Sequence, residues 1–244
     1  LHIATLLMAG AFIFSGTVLD AGPITDTPTL RVSAIVAPPL IVRETEDGTL
    51  TGTAVNAVRS LTAKCGTNVD FIISPSWNRA YMMAQVGIVD AVIPTNFAES
   101  RLAYFDFPVS PLVDLIPSLI VRKDSPIDHF SSLEVLRGKK VGVRTKALLE
   151  DNFDAFVRDG NATLVERSDS ISLIDDLLSG RIDFIADSSA MIIYHMTESK
   201  IPQRIRILEP PLGASGQYLA LSKKRSTAFA EGSMLYDCLK TAKP

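Results

Sequence analysis

Four polar side chains stand where an α/β chain presents groups to a ligand. Thr95 and Asn96 close one apolar run, and Asp187 and Ser188 close another. The two runs, MMAQVGIVDAVIPT (residues 82–95) and LLSGRIDFIADSS (residues 177–189), share one plan. In each, a glycine (Gly87, Gly180) precedes a short turn, an aspartate (Asp90, Asp183), an apolar strand and then the polar pair. The glycine ends a helix by taking positive φ, and the aspartate starts a buried parallel strand. The polar pair then falls at the carboxyl end of the strand, outside which open α/β sheets bind ligands. Hydroxyl, amide and carboxylate groups at such an end hold a small polar solute. The competing reading is a turn at residues 95–96 and a helix cap at residues 187–188.

Further residues offer complementary chemistry. Arg101 carries a permanently charged planar fork that pairs bidentately with a carboxylate; otherwise it is solvated on a loop or pairs with Glu99. Trp77, the only tryptophan, follows a strand and Pro75. It is either a flat wall for an apolar or planar solute or part of the core. Thr145, Lys146 and Ala147 follow another strand and are expected to open a helix, whose first N–H groups suit an anion. Arg144 and Lys146 either add charge at that point or are solvated. The sequence has no Gly-x-Ser-x-Gly elbow and no phosphate loop, and His2, His129 and His195 are far apart. No cofactor or metal is expected.

The elements that must position these groups alternate between strand and helix. Strands are expected at 30–36, 69–73 and 89–93, with helices at 54–63 and 77–86 between them. A turn-rich hairpin region covers 45–52. A second run places strands at 115–121, 140–143, 163–166, 184–186 and 205–208, and helices at 133–136, 148–157, 171–178 and 191–196. A strand at 217–221 and a helix at 228–239 close the chain. Such βαβαβ order signals a parallel sheet covered by helices. Two lobes that face each other across their strand ends enclose a cleft, a favoured place for ligands.

Composition fits this plan. The chain has 244 residues, 47% apolar and 21% charged, with net charge -3. That suffices for two lobes of roughly a hundred residues each, and it supplies no basic footprint for nucleic acid. Residues 1–14 are almost wholly apolar and lead into a polar stretch, as in a secretory signal. Residues 1–22 are therefore expected to be an export leader. Cys65 and Cys238 are the only cysteines. A bridge is open to them in an oxidising compartment, but two buried thiols are the expectation.

In order along the chain, LRVSAIVAPPL, EDGTLTG, GIVDAVIPTNFAESRLAYFDFPVSP, SSLEVLRGKKVGVRTKALLEDNF and LLSGRIDFIADSS resemble the successive segments of family 3 solute-binding proteins. These are the amino-acid-type periplasmic components of ABC transporters. The resemblance implies two α/β lobes, each a mostly parallel sheet flanked by helices, with the ligand between them. Lobe one would comprise residues 29–111 plus 214–244, and lobe two residues 112–213. It also implies roles. Arg101 would grip a ligand carboxylate, with Thr95 or Asn96 holding the same anion. Trp77 would line the cleft, and Lys146 and Ala147 would lie at the anion-binding turn of lobe two. Asp187, or Ser188 one position on, would meet a ligand amino group.

Several positions depart from the family pattern. VAPPLI and GTAVNA stand where an aromatic and an acid are usual, and Lys146-Ala147 replaces a glycine and a hydroxyl residue. A standard zwitterionic amino acid is thereby put in doubt, while a carboxylate-bearing solute remains expected. The implied partners are that solute and an ABC transporter permease, with the chain acting as a periplasmic monomer. Two other classes stand beside this one. A periplasmic dehydratase acting on prephenate-type acids would need Glu99 or Asp187 as its acid, and a ligand-sensing module would report closure to another domain.

Overall fold

A computed structural model describes residues 27–44, 48–198 and 204–244. The expected leader at 1–22 lies outside them, as does part of the turn at 45–52. Thirteen strands alternate with six helices among the described residues. The first part of the chain runs β1 (Thr29–Ala34), β2 (Val42–Arg43), β3 (Leu50–Thr51), α1 (Thr53–Lys64), β4 (Asn68–Ile73), α2 (Trp77–Val86), β5 (Ala91–Asn96), β6 (Phe105–Asp106) and β7 (Val113–Leu115). It continues with β8 (Pro117–Arg122), β9 (Lys140–Arg144), α3 (Asp151–Arg158), β10 (Thr163–Arg167), α4 (Ser170–Leu178), β11 (Phe184–Ser188), α5 (Ser189–Glu198) and β12 (Ile205–Ile207). β13 (Ser215–Ser222) and α6 (Met234–Thr241) close it.

The strands form two principal sheets, one per lobe. The first has the order β4-β1-β5-β13-β6, with β7 also on β13, and the second has the order β10-β9-β11-β8-β12. Each contains the expected parallel unit, β1-α1-β4-α2-β5 in one and β9-α3-β10-α4-β11 in the other. Antiparallel strands then extend each unit. In both units the first strand lies between the other two, so the chain leaves it in opposite directions and a crevice opens at its carboxyl end.

The repeated glycine and aspartate do the same work twice. Gly87, directly after α2, and Gly180, one residue beyond the end of α4, take φ of 86° and 75°. Asp90 Oδ2 accepts the backbone N–H of Arg31 on β1 (2.9 Å), and Asp183 Oδ2 accepts that of Lys140 on β9 (2.8 Å). Each aspartate thus ties the start of the third strand to the start of the first and fixes the register. Strand alternation then sends Leu30, Val32 and Ala34 to one face and Val141 and Val143 to another, where they join the cores of their lobes.

Two expectations need correction. Cys65 and Cys238 form a disulfide, with their Cα atoms 5.7 Å apart. Tyr236 and Leu239 of α6 pack in the same core as Val58 and Leu61 of α1, which brings the two cysteines together. The helix after β9 starts at Asp151, beyond Lys146 and Ala147. Glu150 caps it by accepting the Phe153 N–H, and Asp151 and Asp154 occupy its first turn. Its positive end is filled by the chain's own carboxylates and not left for a ligand.

Candidate binding cleft

A cavity lies where the two crevices meet. Its wall joins Ile35, Ala37 and Leu40 beyond β1 and Pro94 and Asn96 at the end of β5 to Arg144 at the end of β9, residues 145–149 beyond it and Ser188 at the end of β11. Trp77, Arg101, Ser168, Ser215 and Gln217 complete much of the rest. Arg101, Asn96, Trp77, Lys146, Ala147 and Ser188 are therefore brought together at one site. Thr95 and Asp187 are each 1% exposed and do not line it. Both immediately precede or follow a wall residue on a strand, and the pleat turns alternate side chains away.

Arg101 is the distinctive charge. It sits in a short 3₁₀ turn (Glu99–Arg101) that follows β5, and only 8% of it is exposed. Its Nη1 donates to the Asn96 carbonyl oxygen (2.7 Å) and to Asn96 Oδ1, and its Cζ lies 5.8 Å from the centre of the Tyr81 ring. Among the described residues it has no carboxylate partner. Burial draws its pKa down from the ordinary arginine value, opposed in part by Tyr81. A buried cation without a counter-ion is costly to hold, and an entering anion relieves that cost.

Asn96 has a second contact. Its Nδ2 donates to the carbonyl oxygen of Leu148 across the cleft (3.0 Å). The residue that receives Arg101 therefore also touches the facing lobe. Trp77, half-buried at the start of α2, stands 6.1 Å from Tyr81, centre to centre, and adds an aromatic side to the cavity.

The facing wall is built differently. Arg144 ends β9, and its Nε donates to both Asp187 oxygens (3.0 and 3.2 Å). Ser170 Oγ (2.6 Å) and the Ser188 N–H (2.7 Å) donate to the same carboxylate. Asp187 is thus engaged behind the wall, while Arg144 forms part of it. Ser188 Oγ is buried with no hydrogen-bond partner among the described residues. The Lys146 N–H donates to Glu166 (3.2 Å) and the Ala147 N–H to the Arg144 carbonyl (2.9 Å), so neither backbone group remains for an anion. Lys146 contributes its exposed side chain instead. Glu99 lies outside this cavity.

Further wall residues come from β13. Ser215 and Gln217 reach the site from β13, which the antiparallel return brings beside β5. Their signal was present as polar residues at the head of an apolar strand, SGQYLALS.

Comparison with known proteins bears on this arrangement. The family model for bacterial extracellular solute-binding proteins, family 3, matches residues 30–172. No curated protein matches the chain in sequence. Among solved structures, an ancestral arginine-binding protein bound to arginine is 23% identical at a TM-score of 0.69, covering 86% of this chain and 90% of that one. A histidine kinase sensor domain with similarity to periplasmic binding proteins is 19% identical at a TM-score of 0.70, covering 87% and 89%. The substrate-binding protein of an amino acid ABC transporter is 20% identical at 0.67, covering 87% and 90%. These likenesses establish a shared fold.

Proposed function

The chain belongs to the bacterial extracellular solute-binding proteins, family 3, and from that premise we propose that it captures a small carboxylate-bearing solute by closing its lobes and delivers it to an ABC transporter. The observation that carries the reading is Arg101, a buried guanidinium in the cleft wall with no carboxylate partner among the described residues. A solute carboxylate would take its free N–H groups and supply the missing charge.

In this reading the lobes divide at residues 29–111 plus 214–244 and residues 112–213. Arg101, Asn96 and Trp77 hold the solute from lobe one, and Arg144, Lys146 and Ser188 meet it from lobe two. A solute that touches both walls stabilises the closed form over the open one, which is the basis of hinge closure. The Asn96–Leu148 contact supports such closure, since it already spans the cleft. The Cys65–Cys238 bridge favours a periplasmic setting, where disulfides persist. The family's members are binding proteins, and neither Glu99 nor Asp187 stands free in the cavity to act as a general acid; we read the chain as a binder, not an enzyme.

A thermal-shift screen of the chain against amino acids, polyamines, oxo acids and aromatic acids tests the proposal. A solute bound only by the folded form adds about 2.7 kcal/mol at a hundredfold excess over its Kd, so the melting temperature rises for carboxylates. A screen in which no carboxylate raises it removes the reading. The likeness to a histidine kinase sensor domain favours a second version, in which the same closure reports the solute to a signalling partner.

A further inference from the structure

An α-amino acid brings an ammonium group beside its carboxylate, and an ammonium leaving water needs an accepting carboxylate. The cavity wall around Arg101 has three charged residues, Arg101, Arg144 and Lys146, and no acid. Asp187 is the acid closest to hand along the strands, but four donor contacts already engage it: two from Arg144 Nε, one from Ser170 Oγ and one from the Ser188 N–H. Asp169, in the adjoining cavity beyond Trp77, is likewise engaged. It accepts from the Ser172 N–H (2.8 Å) and from the hydroxyls of Ser168 (2.8 Å) and Ser172 (3.1 Å). On the other flank, Glu150 caps α3 and Asp154 accepts the Leu149 N–H (3.1 Å), while Glu99 and Asp151 line a neighbouring cavity and not this one.

Donors, by contrast, are left over. Arg144 uses only Nε, and its two Nη groups make no hydrogen bond among the described residues. Lys146 has no ion pair among them, and Ser188 Oγ has no partner. These three stand on the wall that faces Arg101, so both sides of the cavity offer donors and positive charge.

Resting on the solute-capture reading above, we propose that the solute is a small organic acid with no ammonium group, an oxo-, hydroxy- or dicarboxylate. One carboxylate sits on Arg101, and the second oxygen-bearing end meets Arg144, Lys146 and Ser188. Arg144 closes the site to amino acids by occupying Asp187, the carboxylate next to the wall residue Ser188.

Isothermal titration of the whole chain with matched pairs tests this: succinate against aspartate, 2-oxoglutarate against glutamate, and 4-methyl-2-oxopentanoate against leucine. The expected result is that the best-bound acid exceeds its amino-bearing partner at least tenfold. Equal or tighter binding of the amino acid overturns the inference and leaves the capture reading standing. No heat with any member overturns the inference, and with a blank thermal-shift screen it overturns the capture reading as well. Arg144→Ala supplies a second arm, because it releases Asp187. The acid-to-amino-acid ratio is expected to fall at least tenfold in the folded variant, and an unchanged ratio overturns the role given to Arg144. The wild-type pairs decide the matter even where that variant does not fold.

Discussion

The two βαβαβ units are built to one plan and finish it with opposite chemistry. Val32 pairs with Ala91 in the first, and Val141 with Phe184 in the second. Three residues further toward the carboxyl ends, the first unit has Ile35 and Pro94, and the second has Arg144 and Asp187. One crevice is floored by apolar groups, the other by a charge pair that neutralises itself. The first unit brings its cation from outside the strand, on the turn that holds Arg101, where no acid among the described residues pairs with it. The shared scaffold therefore fixes where side chains arrive, while loop residues and strand-end substitutions decide whether their charge is left over for a solute.

The largest expected effect comes from breaking the paired wall. Asp187→Asn leaves Arg144 with its charge uncompensated beside a buried amide. Loss of one partner of a buried pair costs about 3–5 kcal/mol, less here to the extent that the Arg144 side chain, 23% exposed, recovers water. Urea unfolding measures it. A loss below about 1 kcal/mol would mean that the pair contributes no more than a surface bridge and that the two walls are alike.

Arg101→Met should behave in the opposite way. It removes a cation that has no counter-ion, so stability is expected to hold or rise while affinity for an acidic solute falls about a hundredfold, or about 2.7 kcal/mol. Calorimetric titration and a melting curve on the same sample separate the two. A large loss of stability with unchanged affinity would place Arg101 in the framework and not in the site.

A finer test converts one wall into the other. Asn96→Asp sets a carboxylate where Asn96 Oδ1 now accepts from Arg101, giving that cation the partner Arg144 already has. Affinity for the acid is expected to fall about tenfold, or about 1.4 kcal/mol, with Arg101 still present. The new pair with Arg101 offsets the lost hydrogen bond from Asn96 Nδ2 to the Leu148 carbonyl, so the melting temperature should change little. Retained affinity would show that charge left over at Arg101 is not what draws the solute.

The same contrast marks what the sequence could disclose. Both parallel units were legible, because helical spacing, the two Gly-x-x-Asp turns and the strand-end polar residues are local signals. Arg101, Asn96 and Trp77 could be found from their places after strands. The pairing of Arg144 with Asp187 could not, since it joins residues 43 positions apart through the neighbouring of β9 and β11. Asp187 alone looks like a ligand group, and Arg144 alone looks solvated. The Cys65–Cys238 bridge spans 173 positions and depends on α6 returning to the first lobe. The late start of α3 is legible in the sequence: Glu150 can cap it, and Asp151 and Asp154 form the acidic first turn that marks a helix amino end.

That helix carries the smallest prediction and a last difference between the units. α1 starts at Gly52 with no side-chain cap and no acid in its first turn, its N–H groups instead reaching the Pro39 and Leu40 carbonyls. α3 starts among three carboxylates, and Asp154 is pushed up to about 6, chiefly by burial and further by Asp151 and Glu150. Its folded pKa stands above its unfolded value, so the protonated form favours folding. Stability from this group is greatest below about pH 4 and is lost as pH rises through about 6. Asp154→Asn removes that dependence. The variant is expected to exceed the parent by about 1 kcal/mol at pH 7.5, after allowance for solvent screening, and the two should converge near pH 4. Melting curves across that range check the sign. A variant less stable than the parent at pH 7.5 would mean that the hydrogen bond to the Leu149 N–H outweighs the repulsion, and that α3 gains from its crowd of acids.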